Sequence, residues 1–130
     1  MSAVFFYISG HGFGHASRQI EVVNALGVRR PDVAIVVRTS APRWLFDRTV
    51  RVPITLFPGE CDTGVVQIDS LRLNEQLTIE RADGFYRALA VRARQEAGLL
   101  DTHGARLVVA DAPPLGCAAA DCRGVFEPVE

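Results

Sequence analysis

At 130 residues the chain has room for one domain with a substantial core. Hydrophobic residues make up 48% and charged residues 22%, the proportions of an ordinary globular protein. Fourteen basic residues, all arginine, face fifteen acidic ones for a net charge of −1 with no block of either sign, which excludes the basic stripe of a nucleic-acid binder.

Ala3-Val-Phe-Phe-Tyr-Ile8 is an unbroken apolar run of β-formers, and it predicts a strand covered on both faces, as in a parallel sheet. The run is far too short to span a bilayer and lacks the basic lead-in of a secretory signal. The chain is therefore expected to be cytoplasmic, with no transmembrane segment. A glycine-rich stretch, Ser9-Gly-His-Gly-Phe-Gly-His15, ends the strand, and apolar residues then recur at helical spacing through Ala16, Ile20 and Val23, predicting a helix that stops near Gly27. Residues 33–37 form a second buried strand, which completes a βαβ unit.

Ser40, ahead of Ala41-Pro42, reads as the N-cap of a short helix carrying Trp44, Leu45 and Phe46. Val50, Val52, Ile54 and Leu56 alternate with polar residues and Pro53, which predicts a third strand near the sheet edge. Residues 58–74 are irregular, and a loop of that length inside one domain is usually functional. Ile79, Ala82, Tyr86, Leu89, Ala93, Ala97 and Leu100 then step by three and four along a long amphipathic helix, with its arginines and Glu96 on the solvated side. Residues 107–110 predict a fourth strand ending at Asp111, followed by a short helix over 116–120. The three cysteines, Cys61, Cys117 and Cys122, offer no CxxC pair and read as buried thiols in a reducing compartment.

Three polar clusters fall at carboxyl ends of predicted strands, where open α/β sheets bind ligands: residues 10–15, residues 38–40, and Asp111. Gly10, Gly12 and Gly14 let backbone N–H groups approach a ligand, and the helix that follows offers its positive end. A tight strand-to-helix turn would also ask for glycines, and the GxGxG spacing fits neither a dinucleotide fingerprint nor a P-loop. His11 and His15 strengthen the ligand reading, because a neutral imidazole there can take a proton from a sugar hydroxyl. No third ligand accompanies the two histidines, so no metal is expected. Asp111 suits either an orienting partner for His15 or the N-cap of the helix after it.

Ser9-Gly-His-Gly-Phe-Gly-His-Ala-Ser-Arg18 resembles the opening loop of a family of GT-B-fold glycosyltransferase-like proteins that includes the amino-terminal domain of plant L-arabinokinases and bacterial homologues. Asp62-Thr-Gly-Val-Val-Gln-Ile-Asp-Ser-Leu71 is similar to a second motif of that group, and Leu107-Val-Val-Ala-Asp-Ala-Pro-Pro-Leu115 to a third. More distantly, the first loop resembles that of the peptidoglycan N-acetylglucosaminyltransferase and the Gly-His element of plant UDP-sugar glycosyltransferases.

The resemblance implies an α/β fold: a Rossmann-like parallel sheet with flanking helices, the amino-terminal, acceptor-side half of a GT-B fold. Residues 1–130 are then a single domain, truncated at the carboxyl end and without the donor-binding domain. It further implies an inverting transfer from a nucleoside-diphosphate sugar to a hydroxyl acceptor, with His15 as base and Asp111 as its partner. Substrate contacts are expected from Gly10, His11, Gly12, Phe13, Gly14, Arg18, Thr39, Asp62, Gln67 and Asp69. No cofactor is expected, and the chain is expected to be inactive alone. Its partner is either a second copy or the missing carboxyl-terminal domain. Two other readings stand beside this one: a non-catalytic sugar-binding regulatory module, and an NADP-binding oxidoreductase domain in which residues 38–40 hold the 2′-phosphate.

Overall fold

The opening apolar run forms β1 (Ala3–Ile8), and every residue in it is buried. The structure, a computed structural model, describes residues 2–62, 67–69, 72–111 and 114–123. Among these, β1 lies inside a four-stranded sheet with β2 (Ala34–Thr39), β3 (Thr55–Pro58) and β6 (Ala105–Asp111), in the order β3-β2-β1-β6. All neighbouring strands run parallel. Successive side chains point to opposite faces, so both faces must be covered. Phe6 and Ile8 pack with Ile20 and Val23 of α1 (Gly14–Arg29) and with Leu45 and Phe46 of α2 (Arg43–Thr49). Phe5 and Tyr7 pack on the other face with Leu100 of α3 (Glu75–Thr102) and Leu115 of α4 (Pro114–Arg123).

The chain runs outward from β1 to β2 and β3, then crosses back to set β6 on the far side of β1. That reversal makes the crevice between β1 and β6 the place where such a sheet takes a ligand. Register brings the strand ends level: Ile8 pairs with Thr39 on one side and Asp111 on the other, and Thr39 pairs with Pro58. The glycine-rich loop, residues 40–42 and the segment from Gly59 therefore leave along one rim.

Several elements differ from expectation. α1 runs through Gly27 to Arg29. A Cβ on Gly27 would lie 2.6 Å from the Val52 side chain, so this glycine admits a close neighbour and does not stop the helix. Ser40 is not the α2 cap. Pro42 holds that position without a side-chain hydrogen bond, and Ser40 packs against Gly10. The third strand is confined to Thr55–Pro58, because Pro53 has no N–H for a ladder. Val50, Val52 and Ile54 serve instead as packing against the α2 face. Within 58–74 lies an antiparallel pair, β4 (Gln67–Asp69) with β5 (Arg72–Leu73).

The long helix also departs from its predicted stripe. α3 starts at a capped end, where Asn74 Oδ1 accepts from the Leu77 N–H at 2.9 Å. Its carboxyl-terminal half buries Ala93 and Leu100, whereas Ile79 and Tyr86 are exposed. A helix of 28 residues is about 42 Å long, and the six- and seven-residue strands beneath it are about half that. Glu96, expected on the wet side, is only 5% exposed. Among the described residues no helix is long and apolar enough to cross a membrane.

Candidate functional site

The three loop glycines have different jobs. A Cβ on Gly10 would lie 1.9 Å from Ser40 Oγ and 2.9 Å from the Ala41 backbone nitrogen, so Gly10 is required by packing. Gly12 has φ +78°, the left-handed region that disfavours side chains. Gly14 has ordinary backbone geometry, and among the described residues a Cβ there would meet no atom within 4 Å. Turn geometry thus accounts for Gly10 and Gly12 and leaves Gly14 unexplained. Gly14 is the first residue of α1, whose N-cap is Phe13, with no side-chain acceptor and no acidic residue in the first turn. The first N–H groups of a helix have no partner within it, and here they stand at a positive end that no Phe13 side-chain hydrogen bond caps.

Around this end stand the predicted side chains. His15 is half-buried, and its Nδ1 accepts from Arg18 Nη2 at 3.2 Å. His11 is 43% exposed and its Nε2 lies 3.7 Å from Asp62 Oδ1. That distance is too long for a hydrogen bond, and Asp62 Oδ1 is buried with no hydrogen-bond partner. Phe13 is exposed beside Trp44, with ring centroids 5.7 Å apart and planes at 81°. Thr39 is buried, and its Oγ1 accepts from the Ala41 N–H at 3.0 Å, so its hydroxyl shapes the neighbouring turn.

Asp111 ends β6 next to Ile8, the residue two before Gly10. Gln67 and Asp69 lie in β4. The side chains of these three lie outside the described residues, as do residues 63–66, 70–71 and 112–113 altogether. Among the described residues no three His, Cys, Asp or Glu side chains converge as a metal site.

A buried polar group beneath the rim was not foreseen. Arg38 donates from Nε to Glu96 Oε1 at 2.9 Å and from Nη2 to Glu96 Oε2 at 3.0 Å. Tyr7 donates its hydroxyl to the same Oε1 at 3.3 Å. Burial pushes the Tyr7 hydroxyl far above its ordinary range, and the Glu96 charge adds to this. Burial also opposes the Arg38 charge, but the hydrogen bonds and charge of Glu96 outweigh it and hold the guanidinium ionised. Arg38 reaches the Pro58 carbonyl as well. Gly59 N–H donates to Thr39 O at 2.9 Å, and the Cys61 thiol donates to Arg38 O at 3.1 Å. This set of bonds fixes the segment that delivers Asp62 to His11. One signal was readable: Glu96 shares helical spacing with Ala93 and Leu100, which places it in the buried stripe.

No protein-family profile matches the chain. L-arabinokinase of Arabidopsis thaliana is 34% identical to it over 128 residues, 92% of this chain. The chain spans 12% of that protein's length. Among solved structures, MurG of Acinetobacter baumannii superposes with a TM-score of 0.53 at 15% identity, covering 99% of this chain and 34% of that one. The likeness to MurG is one of fold, and it agrees with the half-domain GT-B architecture that the sequence implies.

Proposed function

We propose that the chain is the acceptor-side half of a glycosyltransferase, acting on a nucleoside-diphosphate sugar and a hydroxyl acceptor. One observation carries this reading above the others: Gly14 leaves open space at the uncapped end of α1, beside His15, at the point where the strand order reverses. An anionic diphosphate suits that helix end. The acceptor lies next to it, and His15 takes the acceptor hydroxyl proton as the oxygen attacks the anomeric carbon. The bond to the nucleoside diphosphate breaks with its electron pair, and the anomeric configuration inverts.

Arg18 adds a condition. Arginine only donates, so in the structure His15 Nδ1 is the acceptor and a neutral ring carries its proton on Nε2. For His15 to act as a base with Nδ1–H turned to an orienting carboxylate, Arg18 must release it. A substrate diphosphate offers Arg18 a charge-assisted partner that competes with His15. Substrate binding and activation of the base are then one event. Asp111 is the orienting carboxylate on this reading, as the level strand ends allow.

Arg38, the residue an NADP 2′-phosphate would require, is engaged by Glu96 and Pro58, which argues against the oxidoreductase reading. A non-catalytic sugar-binding module is the second reading, favoured by the small share, 12%, that the matching stretch occupies in a protein named as a kinase. The test is an NMR titration with UDP, UDP-sugars and NADP. Amide shifts at Gly12, Gly14 and His15 with UDP-sugars and not with NADP support the proposal, and a response centred on Arg38 with NADP sinks it. Joined to a donor-binding domain, His15→Ala abolishes transfer if the chain is an enzyme half, and leaves function intact if it is a binding module. Leu107 is exposed on the edge strand β6, and a second copy or the donor-binding domain is the expected partner there. A chain that stays monomeric at high concentration in size-exclusion chromatography removes the second copy.

A further inference from the structure

Two large aromatic side chains stand in water at the mouth of the candidate site. Phe13 is 51% exposed and Trp44 48% exposed. Their positions are set by different elements: Phe13 is the N-cap of α1, and Trp44 is the second residue of α2. The loops that lead into the two helices meet where Gly10 packs on Ser40 and Ala41 with no room for a Cβ. The rings touch edge to face, and Arg48, one helical turn on, lies over the indole at 5.9 Å from its centroid. The indole is thus held in one orientation while half of it stays bare.

We propose that Phe13 and Trp44 form an aromatic wall that packs against the ring of the acceptor sugar, with Arg48 holding the indole in place. This rests on reading the loop as an acceptor-side site. The argument is complementarity. A sugar ring has an apolar face of C–H groups and a rim of hydroxyls. The site has two apolar rings set nearly at right angles and, around Phe13, backbone donors beside the exposed Gly12 and Gly14. Ligand pockets combine apolar and aromatic linings with a few placed polar groups in this way. An acyl chain or lipid surface would match the wall and leave the donors unused; a nucleotide phosphate would match the donors and leave the wall unused.

Trp44 is the sole tryptophan of the chain, so its fluorescence and its indole N–H resonance report on the wall alone. The full chain is titrated with a panel of methyl glycosides (glucoside, galactoside, N-acetylglucosaminide, arabinoside), with UDP, and with phosphatidylglycerol vesicles. The expected result is a shift of the indole N–H and of the Gly14 amide with one shared midpoint for at least one glycoside. UDP moves the Gly14 amide and not the indole. Phe13→Ala weakens the glycoside midpoint roughly fivefold, the size of one lost aromatic contact, and Trp44→Phe weakens it less. Both side chains are at the surface, and an unchanged spectrum elsewhere shows that the variants fold. A Gly14 response to glycosides with a silent indole overturns the wall and leaves the loop site standing. An indole response to vesicles with Gly14 silent overturns it in favour of a membrane contact. Silence of both towards every glycoside overturns it, and a Gly14 response to UDP then decides whether the loop site survives.

Discussion

Arg38 and Glu96, 58 residues apart, meet as a two-point ion pair beneath the carboxyl rim of the sheet, at 2.9 and 3.0 Å. Glu96 comes from the carboxyl-terminal half of α3 and Arg38 from β2, so the pair clamps the long helix to the sheet. The same guanidinium also holds the Pro58 carbonyl. Through these contacts the pair sets the course of the segment carrying Asp62.

Removing Arg38 strands the Glu96 carboxylate in the interior, and removing Glu96 leaves a half-buried guanidinium with the Pro58 carbonyl. Arg38→Ala is expected to destabilise the fold by about 3 kcal/mol, and Glu96→Ala by less. Replacing both, as Arg38→Met with Glu96→Leu, removes the stranded charge, and its loss should fall well below the sum of the single losses. Urea midpoints at constant slope measure this. Strict additivity of the two single variants would show that the pair is not coupled.

Two glycines four residues apart should answer differently to alanine. Gly10→Ala drives a methyl into Ser40 and the Ala41 backbone, so both stability and ligand response fall. Gly14→Ala meets no atom of the described residues, and alanine is the better helix former, so stability holds or rises by up to about 1 kcal/mol. Its methyl nevertheless stands where the ligand is proposed to approach. Loss of the UDP-sugar response at unchanged stability identifies Gly14 as a ligand-facing glycine. Full retention of that response would return the loop to a plain turn.

The parallel strands were legible because a strand buried on both faces needs an unbroken apolar run, and residues 3–8 and 33–37 supply one. The third strand was misjudged in extent, since alternation at Val50, Val52 and Ile54 marks an apolar side without saying whether the backbone is paired. Glu96 was hidden for a different reason. A charged residue on a helix is solvated by default, and only a partner 58 residues away makes its burial tolerable. The site's backbone was readable from glycines at a strand end. The Phe13–Trp44 contact was not, because it depends on how two helices meet.

The buried thiol gives the alkaline stability a sign. Burial, only partly offset by the nearby Arg38 charge, pushes Cys61 from 9.0 up to about 12. The unfolded chain therefore loses this proton first as pH rises. From about pH 9 upward the native state binds more protons than the unfolded one, and stability falls. Below that window Cys61 contributes no slope. Tyr7 is raised as well and adds to the decline above its own ordinary range. Urea midpoints should be level from pH 7 to about 8.5 and drop by about pH 10, with a smaller drop in Cys61→Ala. A thiol reagent that labels native Cys61 at pH 8 as fast as an unfolded thiol would contradict this account.

Asp62 is the place where stability and binding should part. Its side chain is 15% exposed, among the described residues its Oδ1 is buried without a hydrogen-bond partner, and His11 Nε2 lies 3.7 Å away. An unsatisfied buried carboxylate oxygen destabilises the fold, and such groups persist mainly where function uses them. Asp62→Asn removes the charge at constant size. The fold should then be unchanged or more stable by about 1 kcal/mol, while the response of the loop amides to glycosides weakens. His11→Ala should weaken the same response without the gain in stability, because it leaves the carboxylate in place. Thermal melts and amide shifts measured on both variants separate the two effects. A large loss of stability in Asp62→Asn would mean that the carboxylate is a structural anchor for the segment from Pro58, and its place in the binding site would have to be given up.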